Sequence, residues 1–430
     1  MSRKTRLRFL IDLNPAVPMQ VRNAPEQEAT FLPMEAIKEH GGFDGSRSRP
    51  VKDLLTGYSY FENGDIAYAK VTPCFENGKI TVLDNLDLEF GFGTTEVTVV
   101  RPNAHIDRRY LFYVLQEDSF KQFGKASMTG AGGLKRVPES FTKDFVVQLP
   151  ELPQQKSIAT FLDRETTEID AFIADQEELI ELLSERRTAT ITHAVTKGLN
   201  PNAPMKDSGV DWLGEIPSHW EVRSGRRFFK VRNEKAMAED EQLAATQEFG
   251  VIKQQQYIEL TGNRVVTVQK GFDILKHVEA GDFVISMRSF QGGLEYSEVS
   301  GKISSAYVML TNTRPVFKKY VKYLFKSTGY ISALRSTSNL VRDGQAMRFS
   351  NFAMVPIAMP PLSEQAALAD FIEQETSEID NAIADAREAI ALSKERRAAV
   401  ISAAVTGKID VRSIIDPAIS GVEGSSVGAA

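Results

Sequence analysis

Two stretches of this chain carry apolar residues every three to four positions over an unusual length. Ile158, Leu162, Ile169, Ile173, Ile180, Leu183, Ile191 and Ala194 mark the first, and Leu368, Ile372, Ile379, Ile383, Ile390, Ile401 and Ala404 the second. That period is one face of an α-helix. Pro153 and Pro201 bracket the first stretch, and in the second no proline follows Pro361 until Pro417, so each is expected to be one uninterrupted helix. About 44 helical residues would reach roughly 65 Å, longer than a single domain is wide. Such a stripe needs a partner to cover it. The economical arrangement packs the two helices of one chain on each other, antiparallel about a pseudo-two-fold; a coiled coil that only dimerises the chain is the competing reading.

The stretches are copies. Residues 150–198 align without a gap on 360–408, with 24 of 49 positions identical. Unrelated segments would share roughly three. The polar interruptions are duplicated too: Glu165 and Glu375 sit on the stripe, as do Arg187 and Arg397 within a repeated Glu-Arg-Arg. Polar residues in an apolar seam commonly fix register. If the helices cross near Gln176 and Ala386, Glu165 lies opposite Arg397 and Arg187 opposite Glu375.

Upstream of each copy the sequences diverge while the pattern survives. Tyr110, Tyr113 and Pro150 fall on Tyr320, Tyr323 and Pro360, and Gly64-Asp65-Ile66-Ala67-Tyr68-Ala69 resembles Gly281-Asp282-Phe283-Val284-Ile285-Ser286. Both segments read as a turn running into a buried strand. A second strand is expected at 94–100 and 306–310, then one amphipathic helix at about 109–123 and 319–334. A last strand at 145–149 and 354–359 leads into the repeat. The fold class is α+β: two mixed, strand-rich domains and two long helices packed as an antiparallel coiled coil, an internal pseudo-two-fold repeat. The expected boundaries are 1–152, 153–200, 201–360 and 361–412, followed by a Gly/Ser/Ala-rich tail at 413–430 that is expected to be disordered.

Composition bounds the function. The 430 residues are 42% hydrophobic and 25% charged, enough to build cores, and no apolar run is long enough to span a bilayer. The opening segment breaks at Asp12, Asn14 and Pro15, too early for a secretory signal, so cytoplasmic residence without membrane contact is expected. Cys74 is the only cysteine, which excludes an internal disulfide and a cysteine zinc cage. The net charge of −6 speaks at first against nucleic acid, but its distribution matters more. Residues 151–200 and 361–410 each hold 5 basic and 10 acidic residues, whereas 201–360 hold 21 basic and 16 acidic. The excess acid belongs to the helices.

Catalytic constellations are missing. Gly130-Ala131-Gly132-Gly133-Leu134-Lys135 lacks the spacing of a phosphate loop, and Phe90-Gly91-Phe92-Gly93 misses that of a Phe-x-Gly-x-Gly cofactor loop by one residue. No Asn/Asp-Pro-Pro-Tyr/Phe methyltransferase motif occurs, and the five histidines have no metal-like spacing. A non-enzyme with no cofactor and no metal of its own is expected.

Duplicated scaffolding with diverged domains suits recognition of two different things. At this point the blocks Pro-Pro-Leu-Ser-Glu-Gln (360–365), Glu-Arg-Arg (185–187, 395–397), Ala-Val-Thr-Lys-Gly-Leu (194–199) and Asp-Ser-Gly-Val-Asp-Trp-Leu-Gly-Glu-Ile-Pro-Ser-His-Trp (207–220) carry a resemblance. Over nearly its whole length the chain resembles the Type I restriction-modification specificity subunits, in the order target-recognition domain, spacer helix, target-recognition domain, spacer helix. The N-terminus departs from the pattern, lacking the Trp-Leu-Gly-Glu-Ile-Pro leader of the second half. The resemblance implies that each domain reads one half of a split site in double-stranded DNA while the helices set the gap. It further implies that the helices dock two methyltransferase subunits, which bind S-adenosylmethionine, and that two motor-nuclease subunits join them. A coiled-coil structural adaptor without sequence-specific reading is the alternative, and an enzyme with an unrecognised site a further one.

Direct readout needs Arg or Lys for guanine and Asn or Gln for adenine. Loops ahead of the final strands supply Lys125, Lys135 and Arg136 in the first half and Arg335, Arg342, Gln345 and Arg348 in the second; Lys70, Lys79, Arg288 and Lys302 border the Gly-Asp strands. A solvated surface charge is the competing reading of each.

Overall fold

The two stripes are long enough that each is covered by two different sets of neighbours, and this divides the chain. The computed structural model describes residues 3–130, 133–263, 274–286, 289–337 and 347–411. Two compact units result: Met1–Gln176 with Glu388–Ala430, and Glu177–Arg387. Both boundaries fall inside the long helices, α5 (Leu152–Lys197) and α11 (Leu362–Val405). Each unit therefore holds the first part of one helix and the last part of the other, where a division by sequence pattern sets the helices apart as spacers.

In unit 1, β1 (Arg3–Arg6) pairs antiparallel with β10 (Val146–Leu149) immediately ahead of α5. The main sheet is antiparallel, in the order β2 (Ile11–Leu13), β9 (Val97–Pro102), β6 (Ile66–Ala69), β7 (Ile80–Val82). Gly64, at φ 92°, makes the tight turn into β6, whose four residues are all buried. Buried Asp65 in the same turn forks Arg101 of β9 at 2.8 and 2.7 Å.

A second sheet, inserted after β2 and the one-turn helix α1 (Met19–Arg22), runs β4 (Ser48–Pro50), β3 (Glu28–Leu32), β8 (Phe90–Gly93), β5 (Ser59–Glu62). Its centre is the Phe-Gly-Phe-Gly segment, where a Cβ on Gly91 would collide with the Phe61 ring and the Thr30 carbonyl. Strand packing accounts for these glycines.

Unit 2 repeats the scheme. β13 (Glu221–Ser224) pairs with β22 (Pro356–Met359), and the main sheet runs β14 (Phe229–Arg232), β21 (Val308–Asn312), β18 (Phe283–Ile285), β19 (Glu295–Tyr296). Gly281 turns at φ 93°, and buried Asp282 again holds an arginine, here Arg232 of β14, at 2.6 and 3.2 Å. In place of the inserted sheet stand the strand pairs β15 (Leu243–Thr246) with β16 (Gly250–Lys253) and β17 (Lys276–Val278) with β20 (Gly301–Ile303), plus helices α6 (Gln254–Thr261) and α7 (Ser289–Gly292). The leader motif forms the hairpin β11 (Met205–Asp207) and β12 (Glu215–Pro217).

The single amphipathic helix expected in each half is broken in two: α2 (Arg108–Val114) and α3 (Asp118–Ser127), then α8 (Lys318–Lys326) and α9 (Thr328–Ser336). Glu117 and Ser327 adopt extended backbone at the breaks, and the Glu117 carboxylate accepts from Ser119 N at 3.0 Å, capping α3. A short helix, α4 (Glu139–Asp144) or α10 (Phe349–Met354), then precedes the last strand.

The helix segments pack antiparallel within each unit. In unit 1, Ile158, Ala159 and Leu162 early in α5 share a core with Ile401, Ala404 and Val405 late in α11, while further along α5 Asp170 meets Arg397, further back in α11. In unit 2, Leu368, Ala369 and Ile372 share a core with Ile191, Ala194 and Val195, while Asp380 meets Arg187. The expected polar pairs are displaced by one residue. Glu165 faces Arg396 at 3.6 Å and Glu375 faces Arg186 at 3.7 Å, leaving Arg397 to Asp170 at 2.9 Å and Arg187 to Asp380 at 2.8 Å. The displacement in unit 1 has a local cause. Arg397 turns inward, buried, toward Gln116 Oε1 at 3.1 Å and the His40 carbonyl at 3.4 Å.

Candidate nucleic-acid interface

The junction between domain and helix is the same in both units. Gln155 Nε2 donates to the Pro150 carbonyl at 2.9 Å while its Oε1 accepts from Asp107 N at 2.7 Å; Gln365 repeats this with Pro360 at 2.8 Å and Phe317 N at 2.8 Å. Tyr110 OH donates to the Gln148 carbonyl, and Tyr320 OH to that of Ala358. Burial pushes both phenols up, so they stay neutral donors. The repeated glutamines and tyrosines together tie the helix start, the last strand and the helix α2 or α8 into one block. The glutamines were open to the same inference, since both stand five residues after an aligned proline.

The leader motif does equivalent work in unit 2. Buried Trp220 donates Nε1 to Glu364 Oε1 at 3.0 Å, His219 Nε2 meets Glu364 Oε2 at 2.7 Å, and Trp212 Nε1 donates to the Pro356 carbonyl at 3.2 Å. Gln154 occupies the aligned position in the first copy.

On this base the diverged loops are displayed. In unit 1 the chain leaving β6 zips onto the chain leaving α3: Val137 N donates to the Lys70 carbonyl at 2.9 Å, and Thr72 N to that of Lys135 at 3.0 Å. Lys70, Lys135 and Arg136 are thereby brought together. Lys125, in the last turn of α3, joins them through Glu76 at 2.5 Å. Arg136 forks Glu96 at 3.0 and 2.6 Å, and that hydrogen-bonded guanidinium holds the Glu96 carboxyl below its usual range. Lys135 is exposed and has no carboxylate partner among the described residues. Lys79 stands further along the same loop, bridging Glu39 through its backbone and reaching the Glu35 carbonyl at 3.5 Å.

In unit 2, Arg335 lies exposed in the last turn of α9 and Arg348 exposed just before α10. Asn351 joins the two, its Oδ1 accepting from Arg348 N and its Nδ2 donating to the Thr337 carbonyl, both at 3.0 Å. Lys302 is placed apart, on β20 opposite His277. Arg288, Arg342 and Gln345 lie outside the described residues.

These surfaces offer guanidinium and ammonium groups on glycine-bearing loops, chemistry suited to phosphates and base edges. Among the described residues no group of three His, Cys, Asp or Glu side chains could hold a metal ion, and no helix is long and apolar enough to cross a membrane.

The class this defines is a tandem of two α+β domains, each handing its last strand to one member of an antiparallel helix pair. No family model matches the chain. The specificity subunit of the Type I restriction enzyme EcoAI from Escherichia coli is 39% identical over 158 residues, 36% of this chain and 26% of that protein. That of EcoEI, also from Escherichia coli, is 34% identical over 191 residues, 44% of this chain and 31% of that protein. The match therefore spans only about a quarter to a third of these two relatives. A putative Type I specificity subunit, MjaX, from Methanocaldococcus jannaschii is 24% identical over 81% of this chain and 79% of its own length. Among solved structures, the HsdS subunit from Thermoanaerobacter tengcongensis superposes with a TM-score of 0.52, at 16% identity over 95% of this chain and 97% of that one. A chain from a structural study of type I R-M complex assembly and conformational transition gives 0.65, at 16% identity over 95% and 98%. The chain is thus similar in sequence to Type I restriction enzyme specificity subunits over part of their length, and shares the fold of solved HsdS-type chains.

Proposed function

We propose that the chain is the DNA-sequence specificity subunit of a Type I restriction-modification complex, with no catalytic role of its own. Each unit reads one half of a split, asymmetric site in double-stranded DNA, and the helices set the gap. The observation that carries this reading is that one scaffold and one junction are built twice while the loops they display differ. A repeated scaffold with unlike side chains suits two half-sites of unlike sequence. The helices would dock two methyltransferase subunits, on which S-adenosylmethionine binds, and motor-nuclease subunits would complete the restriction enzyme.

The test is a methylation map of DNA from cells carrying this chain and its methyltransferase partner. A bipartite asymmetric motif with adenine methylated in both parts is expected. A motif that persists when the chain is deleted would refute the reading, and methyl transfer by the purified chain alone would refute the non-catalytic assignment.

A further inference from the structure

We propose that the inserted sheet of unit 1 carries a further DNA contact, in which Arg47 and Arg49 grip the sugar-phosphate backbone beside the half-site that unit 1 reads. The inference rests on the DNA-reading function above and adds to it a surface that lies outside the loops flanking the main sheet.

The segment Gly41-Gly42-Phe43-Asp44-Gly45-Ser46-Arg47-Ser48-Arg49-Pro50 combines small, flexible residues with two arginines. It leaves a tight turn, with His40, Gly41 and Gly42 at φ 63°, 135° and 83°, and runs into β4 on the edge of its sheet. Several other arginines of unit 1 are engaged at short range: Arg101 with Asp65 at 2.7 Å, Arg108 with Asp84 at 2.7 Å, Arg136 with Glu96 at 2.6 Å. Arg47 is more than half exposed, and its ion pair with Glu35 is long, at 4.0 Å. Arg49 is exposed and has no carboxylate partner among the described residues. Its guanidinium instead lies 4.2 Å above the Phe31 ring, which is itself buried and braced edge-on by Tyr58 at 5.8 Å. A stacked guanidinium keeps its charge and its planar fork of donors while losing rotamer freedom, a state suited to bidentate phosphate binding.

Two links place this segment beside Lys79. Glu35 pairs through its carboxylate with Arg47 and through its carbonyl with Lys79, and Glu39 bridges Lys79 through the backbone. The acidic residue within the segment, Asp44, is turned back on its own loop, where the Ser46 hydrogen bond lowers its pKa. Arginines on an edge strand can also serve only to discourage strand pairing, and that role would leave DNA affinity untouched.

The experiment is fluorescence anisotropy of the full chain with a labelled duplex of about 30 base pairs, titrated with KCl, for the wild type, R47A/R49A and R47K/R49K. Each lost phosphate contact removes about 0.9 from the slope of log affinity against log salt. The double alanine variant should bind about tenfold or more weakly at about 0.1 M salt and lose roughly 1.8 from the slope, equally on duplexes of any sequence. The lysine variant should keep the slope. If R47A/R49A does not fold, R47A alone, which disturbs no ring contact, should lose about 0.9. Wild-type binding with an unchanged slope in the alanine variants overturns this inference and leaves the function above standing. Failure of the wild type to bind any duplex overturns both.

Discussion

Arg187 and Arg397 occupy identical places in the repeat, yet their surroundings predict very different costs of removal. Arg397 is buried and donates to three acceptors: Asp170 at 2.9 Å, Gln116 Oε1 at 3.1 Å and the His40 carbonyl at 3.4 Å. In R397A the Asp170 carboxylate, 46% exposed, is rehydrated, so little of that ion pair is lost. The buried Gln116 oxygen, by contrast, loses its donor, at about 1–3 kcal/mol, and the long aliphatic stem leaves a gap beside it. A total of about 2–4 kcal/mol follows. Arg187 and Asp380 are 38% and 51% exposed, and such pairs contribute about 0–1 kcal/mol. For a unit of this size each kcal/mol moves the midpoint by about 2–4 °C. R397A should therefore lower the thermal midpoint by roughly 4–16 °C and R187A by no more than about 4 °C. Amide exchange at residues 36–42 should accelerate only in R397A, because among the described residues it is Arg397 that donates to the His40 carbonyl. Equal losses in the two variants, or protection at 36–42 unchanged in R397A, would refute the assignment of unlike roles to the two arginines.

The junction glutamines give the opposite expectation, a symmetric one: Q155A and Q365A should each cost about 2–3 kcal/mol in urea unfolding, since each orphans a backbone N–H and a carbonyl at the same joint. E364A should cost about 1–3 kcal/mol by freeing the indole of Trp220, while Q154A at the aligned exposed position stays within about 0.5 kcal/mol; a comparable loss in both would remove the leader's anchoring role. For His277, burial alone would push the imidazolium down, but Asp240 at 2.9 Å and Glu279 at 3.1 Å outweigh it and hold its pKa above the ordinary 6.5. A raised folded-state pKa stabilises fully below 6.5 and is lost as pH rises through the folded value, so the urea midpoint should fall above pH 6.5 in the wild type and less in H277Q.

What was legible in the chain was what repeats. Both stripes, the aligned tyrosines and the Gly-Asp turns follow from local period or self-similarity, and each sits where those patterns place it. What escaped depends on contacts distant in sequence. The breaks at Glu117 and Ser327 interrupt an amphipathic pattern that by itself continues through them. The inserted sheet rests on a parallel pairing of Thr30–Leu32 with Gly91–Gly93, joined by a crossover that no local signal announces. In unit 1 the one-residue displacement goes with Gln116 and the His40 carbonyl, from two other segments, competing for Arg397.

The same competition explains why the candidate DNA contacts were hard to rank by sequence. Arg136 and Lys125 already satisfy Glu96 and Glu76, so a phosphate approaching them must replace a carboxylate and then face it across a few ångströms. An exposed pair of this kind contributes only about 0–1 kcal/mol, so the exchange is possible, but the displaced carboxylate offsets much of what the phosphate adds. Fewer counterions are released for each such contact than for an unpaired cation. A chain with net charge −6 is therefore expected to gain most of any DNA affinity from the cations its own carboxylates leave alone or hold only loosely. Lys135 and Arg49 are of that kind in unit 1, which makes them better choices for mutation than the more conspicuous Arg136. Arg136 in turn is suited to hold its loop in one shape, since its backbone bridges Val71 and Thr129 while its side chain is fixed by Glu96.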